Sequence, residues 1–311
     1  MSGRRIILDC DPGHDDALAI LLAHGSPAIE LVAITTVAGN QSLEKVTGNA
    51  SAVAAVAGLV GVPIAAGMHR PLVRETEPAP SIHGESGMDG PSLPPLRPAL
   101  DPRHAVDLII EEVMGSPAGS VTLVPTGPLT NIAMAVRREP RLAERVREVV
   151  LMGGGVQGGN WTATAEFNIL ADPEAAHIVF GAGWDVTMVG LDVTHRALAT
   201  EEVVARFRSL DSDAGRFCVG LLDFFARSYR DAQGFDAPPV HDPVAVAYVV
   251  DPSILEVRRA PLTVELRGEH TVGMTVADLR SAPPADCRTS IATGIDSDRF
   301  WDLVLDAVGR L

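Results

Sequence analysis

Four carboxylates fall within eight residues near the start of the chain, in the segment Asp9–Ala17 (DCDPGHDDA): Asp9, Asp11, Asp15 and Asp16. Asp9 and Asp11 close an apolar run that reads as a strand, Pro12-Gly13 turns the chain, and Asp15 and Asp16 open a helix. The positive end of that helix favours the last two, but it cannot neutralise all four. Packed together, some must hold protons or share a cation. All-oxygen ligands select a hard cation, Ca2+ or Mg2+, over zinc or copper. In an α/β sheet the carboxyl ends of the strands form the ligand crevice, so the cluster falls where a site is expected.

The elements that must position these groups alternate along the chain. Ile6–Asp11, Leu31–Val37, Val62–Ala66, Val121–Thr126, Glu148–Met152 and Val186–Leu191 read as strands. Asp15–His24, Ser42–Gly58 and Ala105–Met114 read as helices, the last with Asp101-Pro102 as its upstream start signal; Asp172-Pro173 and Thr200 start two more. This alternation predicts an α/β, Rossmann-like fold, a mainly parallel sheet flanked by helices. Between Leu255 and Ile295 the pattern changes to β runs (VRRAPLTVEL, HTVGMTV, CRTSIAT), which predicts a small antiparallel appendage near the C-terminus, followed by a final helix, Asp298–Leu311. No repeat or long linker divides residues 1–311, so one domain is expected. The proline-rich stretch Arg70–Leu100, with HGESG at its centre, is the longest irregular segment and reads as a lid.

Composition narrows the function. The 311 residues carry 40 acidic against 25 basic side chains, a formal net charge of −15, which leaves no electrostatic footprint for nucleic acid or anionic lipid. Lys45 is the only lysine, which counts against Lys-based mechanisms. No window is long and apolar enough to span a bilayer, and Met1–Leu8 enters a strand pattern with no signal-peptide region, so a cytoplasmic protein is expected. Cys10, Cys218 and Cys287 are odd in number and widely spaced, which fits neither a disulfide framework nor a zinc site.

Three patterns compete for the acidic segment. An EF-hand loop beginning at Asp9 would need Gly at its sixth position and Glu at its twelfth, where His14 and Ile20 stand. An aspartyl-phosphate phosphohydrolase of the haloacid-dehalogenase type would use Asp9 as nucleophile, but wants Thr or Val where Gly13 stands and a later phosphate-binding Lys. The third pattern, D-x-D-P-G-x-D-D-A, matches at every fixed position. Six further stretches follow in order: ITTVAGNQ (Ile34–Gln41), HGESGM (His83–Met88), LVPTGPLTNIA (Leu123–Ala133), VVLMGGG (Val149–Gly155), AEFNILADPEAAHIVF (Ala165–Phe180) and VHDPVAVAY (Val240–Tyr248). On these motifs the chain resembles the inosine–uridine preferring nucleoside hydrolases along essentially its whole length. Its greatest likeness is to broad-specificity members acting on purine and pyrimidine ribosides.

The resemblance implies a Ca2+ that holds the attacking water and the ribose 2′- and 3′-hydroxyls. Its ligands would be Asp11, Asp16, Asp242 and the backbone carbonyl of Thr126. It makes Asp11 the general base, Asp15, Asn40 and Asn168 the diol contacts, and Asn160 and Glu166 the partners of the 5′-hydroxyl. Such clamps turn binding energy into distortion toward an oxocarbenium-like transition state, whose positive charge a carboxylate-lined pocket stabilises. His241, directly before Asp242-Pro243, is the implied proton donor to the departing base. His83 in the lid segment is placed to close over sugar or base, and Phe167, Phe225 and Tyr229 are candidate stacking walls. A small ribonucleoside is the implied partner, with assembly as a homodimer or homotetramer.

Other features carry less. Gly153–Gly158 (GGGVQG) matches G-x-G-x-x-G after a strand, but no clear helix follows. Cys10 alternates with Asp9 and Asp11 and should point away from the site, whereas Asp9 shares a face with Asp11. His14 fills the variable position of the signature and receives no role, and His177 reads as a surface or packing residue. Two alternatives stay open on sequence: the phosphohydrolase, and a ribonucleoside-binding protein without catalysis.

Overall fold

The computed structural model describes residues 3–95 and 97–311. Met1, Ser2 and Leu96, the last inside the expected lid segment, lie outside the described residues. Ten strands occur among the described residues: β1 (Arg4–Cys10), β2 (Ile29–Thr36), β3 (Ile64–Ala66), β4 (Val121–Pro125), β5 (Glu148–Met152), β6 (Val186–Val189), β7 (Leu255–Arg259), β8 (Leu262–Val264), β9 (Thr275–Ala277) and β10 (Thr289–Ile295). Eight of them form one sheet in the order β3-β2-β1-β4-β5-β6-β10-β7. Every pairing is parallel except that of edge strand β7 with β10. The order doubles back between β1 and β4, so the crevice of this Rossmann-like sheet opens where those two strands end. Asp9 lies opposite Pro125 in the β1–β4 register, which delivers Asp11 and Thr126 side by side just past the strand ends.

Alternation along β1 divides the core. Ile6, Leu8 and Cys10 face one hydrophobic layer with Leu18, Leu21, Phe300 and Trp301, while Ile7 faces the opposite layer with Leu108, Ile109 and Ile132. Helix His14–Gly25 buries every residue but His24, because it lies between the sheet and the outer helices Asp242–Val250 and Ser297–Val308. Its buried first turn forces Asp15 and Asp16 out of water. No helix among the described residues is long and apolar enough to cross a membrane.

The expected α/β class holds, with local differences. β1 ends one residue before Asp11, and Ser42 caps a helix that runs Leu43–Val56 rather than to Gly58. Helix Ala105–Gly115 starts at a His104 cap, His104 Nδ1 accepting from the Val106 amide at 3.2 Å, and not at Asp101-Pro102. After β6 the chain turns at Gly190 into the short helix Leu191–Thr194. Helices Thr130–Arg138 and Asp213–Gln233 were not among the expected elements. The C-terminal β runs divide: β8 and β9 form a separate antiparallel pair, whereas CRTSIAT supplies β10, which is mostly buried and extends the main sheet parallel to β6. Segment 70–100 holds one short helix, Pro80–His83, among its described residues.

Candidate active site

The turn after β1 gathers carboxylates with no cationic side chain beside them among the described residues. Carboxylate oxygens of Asp15, Asp16 and Asp242 lie within 4.8 Å of one another, all buried. Asp16 accepts from Thr126 Oγ1 at 2.8 Å and from the Gly13 amide at 3.0 Å, with Asn40 Nδ2 at 3.4 Å. Asp11 accepts from the Asn40 amide at 2.7 Å through Oδ2, while its Oδ1 is buried with no partner. Two glycines admit this side chain: a Cβ on Gly39 would stand 2.1 Å from Asp11 Oδ2, and one on Gly127 2.6 Å from Oδ1.

Electrostatics show how strained this arrangement is when left to itself. Burial, then the charge of Asp16, raises Asp11 well above the usual carboxylate range. Burial followed by Asp15, Asp16 and Asp11 does the same to Asp242. Burial, then the charge of Asp16, pushes Asp15 up to about 7, and burial raises Asp16. Lys45, the single lysine, is occupied at the carbonyl of Glu85. An orphaned acceptor on Asp11, three convergent carboxylates and no basic partner are the features expected of a hard-cation site. The convergent trio includes Asp15 rather than Asp11, so the implied ligands Asp16 and Asp242 are common to both sets. The Thr126 carbonyl accepts from Asn168 Nδ2 at 2.7 Å, which leaves it one lone pair.

Asp9 stands behind this cluster. Its Oδ1 accepts from Thr35 Oγ1 at 2.6 Å and Asn131 Nδ2 at 2.8 Å, and burial pushes it up to about 7. It does not line the cavity described next, so the carboxylate that a phosphohydrolase would need as nucleophile is enclosed. Cys10 points into the core, as its alternation predicts.

Beside the cluster opens a cavity. It is lined by Asp15, Asn40, Thr126, Asn168 and Asp242 next to the carboxylates, and by Asn160, Glu166, Phe167, His83, Tyr229 and His241 further round. Every catalytic, ribose or metal candidate expected from sequence is therefore at this cavity or, for Asp11 and Asp16, in contact with its wall. Glu166 is fixed by three amides, those of Asn168 (2.8 Å), Gly154 (2.9 Å) and Ile169 (3.0 Å), and burial pushes it up to about 7. Asn160 Oδ1 accepts from the Phe167 amide at 3.0 Å, which ties the glycine-rich loop to the next helix.

His241 caps helix Asp242–Val250 without a side-chain cap bond. Its imidazole instead lies between two hydroxyls, Tyr229 at 2.9 Å from Nε2 and Thr194 at 2.8 Å from Nδ1, while its amide approaches Asp15 Oδ2 at 3.3 Å. Burial, then the nearby His195, lowers it to about 3, so the ring is neutral at neutral pH. Burial also raises Tyr229 well above the ordinary phenol value.

Three polar or aromatic residues at or behind the cavity escaped the sequence reading. Trp161 and Gln233 line it. Gln233 is four residues beyond Tyr229 on one helix, a spacing that shares a face and could have found it; Trp161 stands edge-on to Phe167, rings 4.9 Å apart. His14 lies behind, fully buried against His83 and Phe225. Phe225, expected as a wall, is one layer removed: it is fully buried against Tyr229, His83 and His14 and does not reach the cavity.

Residues 6–302 match the family model described as inosine-uridine preferring nucleoside hydrolase. The chain is 56% identical over 309 residues to the inosine-uridine preferring nucleoside hydrolase of Crithidia fasciculata, covering 99% of this chain and 98% of that protein. It is 57% identical over 312 aligned positions to the protein of that name from Leishmania major, with the same coverage. Among solved structures, a purine-preferring ribonucleoside hydrolase from Gardnerella vaginalis superposes with a TM-score of 0.91 at 34% identity, over 98% of each chain.

Proposed function

The chain belongs to the family of inosine-uridine preferring nucleoside hydrolases, enzymes that hydrolyse ribonucleosides, and from that premise we propose that it cleaves the N-glycosidic bond of inosine, uridine and related ribosides with the aid of Ca2+. Ribose and the free base are the products. The observation that carries this reading is the cavity in which amide and acid groups suited to a ribose, and the imidazoles of His83 and His241, converge beside the aspartate cluster.

In this reading Asp11, Asp16, Asp242 and the Thr126 carbonyl hold the Ca2+. When bound, the ion supplies Lewis acidity toward oxygen ligands. Asp11, whose Oδ1 is without a protein partner, takes the proton from the attacking water. Asp15, Asn40 and Asn168 grip the ribose diol. Asn160 and Glu166 orient the 5′-hydroxyl, Glu166 held in place by its three amide bonds. Phe167 and Tyr229 flank the base, His83 stands beside Asn40, and His241 protonates the leaving group. The chain works as one domain, with segment 70–100 as its lid, in a cytoplasmic homodimer or homotetramer.

Incubation with inosine followed by assays for reducing sugar and phosphate tests the reaction. Equal amounts of ribose and hypoxanthine, with no phosphate needed or released, are expected. Absence of ribose from a folded, Ca2+-supplied sample would refute it.

The cation reading predicts about one Ca2+ per chain by elemental analysis, the number for a single all-oxygen site. It also predicts how stability depends on pH once the ion is chelated. Asp15 moves from 3.8 to about 7 on folding without a cation. Its contribution to stability is then full below about pH 4 and lost as pH rises through about 7, because the unfolded chain gives up that proton first. Chelated protein should therefore lose Tm between about pH 4 and 7, and Ca2+ should restore it at the upper end. Zinc as the resident metal, or a chelated Tm flat across that range, would count against the site.

The diol clamp makes a separate prediction. With 2′-deoxyinosine, the groups that meet the 2′-hydroxyl are left unpaired in a buried site, at about 1–3 kcal/mol. That corresponds to a fall of roughly 5- to 150-fold in kcat/KM relative to inosine. Equal values for the two ribosides would show that the ribose contacts are wrongly placed.

A further inference from the structure

His14 takes no part in the reaction as described, yet it is wholly buried and its ring is engaged on both faces and at both nitrogens. It lies against Phe224 (5.0 Å between centroids, 3° between planes), Phe225 (5.0 Å, 9°) and His83 (5.4 Å, 26°). Nε2 is 2.8 Å from the backbone carbonyl of Asp89, and Nδ1 is 3.2 Å from Nδ1 of His83. Gly13 makes room for that contact: a Cβ there would stand 2.4 Å from His83 Nδ1.

Proton bookkeeping along this chain has a definite direction. A carbonyl oxygen only accepts, so Nε2 of His14 carries the hydrogen. Between two phenyl rings, with no carboxylate in contact, the ring is neutral and holds one proton, which leaves Nδ1 bare. Two bare nitrogens would repel at 3.2 Å, so the hydrogen between the imidazoles belongs to His83 Nδ1. The backbone amide of His14 donates toward the same nitrogen at 3.4 Å, a long contact that favours the opposite tautomer and is outweighed by the 2.8 Å bond from Nε2 to the Asp89 carbonyl. His83 is then left with an unprotonated Nε2. That atom has no protein partner among the described residues, and His83 lines the cavity at the end it shares with Asn40 and Asp15.

We propose that His14 is a positioning residue that relays the Asp89 carbonyl into a single tautomer of His83, so that His83 meets the ligand as a hydrogen-bond acceptor for a sugar hydroxyl. The relay rests on the reading of this cavity as a ribonucleoside site. It joins the first turn of helix His14–Gly25, which carries Asp15 and Asp16, to segment 70–100 at two points, His83 and Asp89. Asp89 is itself anchored by the Glu85 amide at 3.0 Å and the Ser86 amide at 3.2 Å, so the carbonyl that sets the tautomer is well placed.

Nitrogen NMR of the full chain labelled in histidine reads the tautomers directly, without substrate. The expected spectrum shows His83 protonated at Nδ1 and His14 protonated at Nε2. In His14→Phe, which keeps an aromatic ring between Phe224 and Phe225 but has no nitrogen, His83 should become a mixture of tautomers. KM for inosine should then rise roughly 3- to 10-fold, the worth of one ordinary hydrogen bond, with kcat changed less than about twofold. A wild-type His83 protonated at Nε2 overturns the proposal, as does a His83 tautomer unchanged in the variant. If His14→Phe does not fold, the wild-type spectrum alone decides. Because that spectrum needs no nucleoside, a chain that failed to hydrolyse inosine would count against the site reading and leave the relay to be judged on its own signals.

Discussion

Asp11→Asn should lower kcat on inosine by roughly 10²- to 10⁴-fold, the range for loss of a positioned general base, and should lower it comparably on p-nitrophenyl riboside. The substitution is nearly isosteric, and its amide oxygen can still accept from the Asn40 amide that now bonds Oδ2 at 2.7 Å. What changes is the other atom. Oδ1, buried and without a partner beside Gly127, is replaced by an NH2 that cannot take a proton and offers a donor where an anion is wanted. Both substrates suffer because water activation comes before any difference between leaving groups. Ca2+ content should fall too if Asp11 is a ligand, and measuring metal separately from rate distinguishes a lost base from a lost ion. A variant within tenfold of wild type on both ribosides would remove Asp11 from the reaction, and Asp15 would be the carboxylate to examine next.

The parts of this site legible in the sequence are those set by local geometry. Asp9 to Asp16 are joined by one strand end, one turn and one helix start, so their spacing alone places them together at the crevice. His241 and Asp242 are adjacent at a helix start marked by Pro243, and Glu166 and Asn168 straddle a helix N-terminus. Positions set by tertiary packing were not legible. Phe225 and Tyr229 are one helical turn apart and look alike in sequence, yet only Tyr229 reaches the cavity, because Ile82 and His83 cover the turn that holds Phe225. His14 reads as one more first-turn residue until segment 70–100 is folded over it. The fold shows the same division. Alternating strands and helices announce a parallel sheet, but a run such as CRTSIAT does not declare its partner, and only the open edge at β6 draws it into the main sheet as β10.

His241→Ala should separate two substrates that Asp11→Asn treats alike. Hypoxanthine leaves as a poor anion and needs a proton, whereas p-nitrophenolate departs unaided. Loss of a positioned general acid should therefore cost roughly 10²- to 10⁴-fold on inosine and leave most activity on p-nitrophenyl riboside. The structure favours a clean comparison: the His241 side chain makes no capping bond to its helix, and the backbone amide that approaches Asp15 is kept in the variant. Burial holds the imidazole neutral in the free chain, so the proton it gives the base is first taken up from solvent, and the ring returns to neutral imidazole once the base has left, with Tyr229 and Thr194 as its hydrogen-bonded neighbours throughout. Tyr229→Phe should thus reproduce the same substrate split in weaker form, since His241 keeps its bond to Thr194. Equal losses on the two ribosides in His241→Ala would make the residue structural or sugar-binding. The acid would then have to reach the base from elsewhere on the cavity wall. His83 is a poor substitute, because with Nδ1 protonated toward His14 its Nε2 has no hydrogen to give.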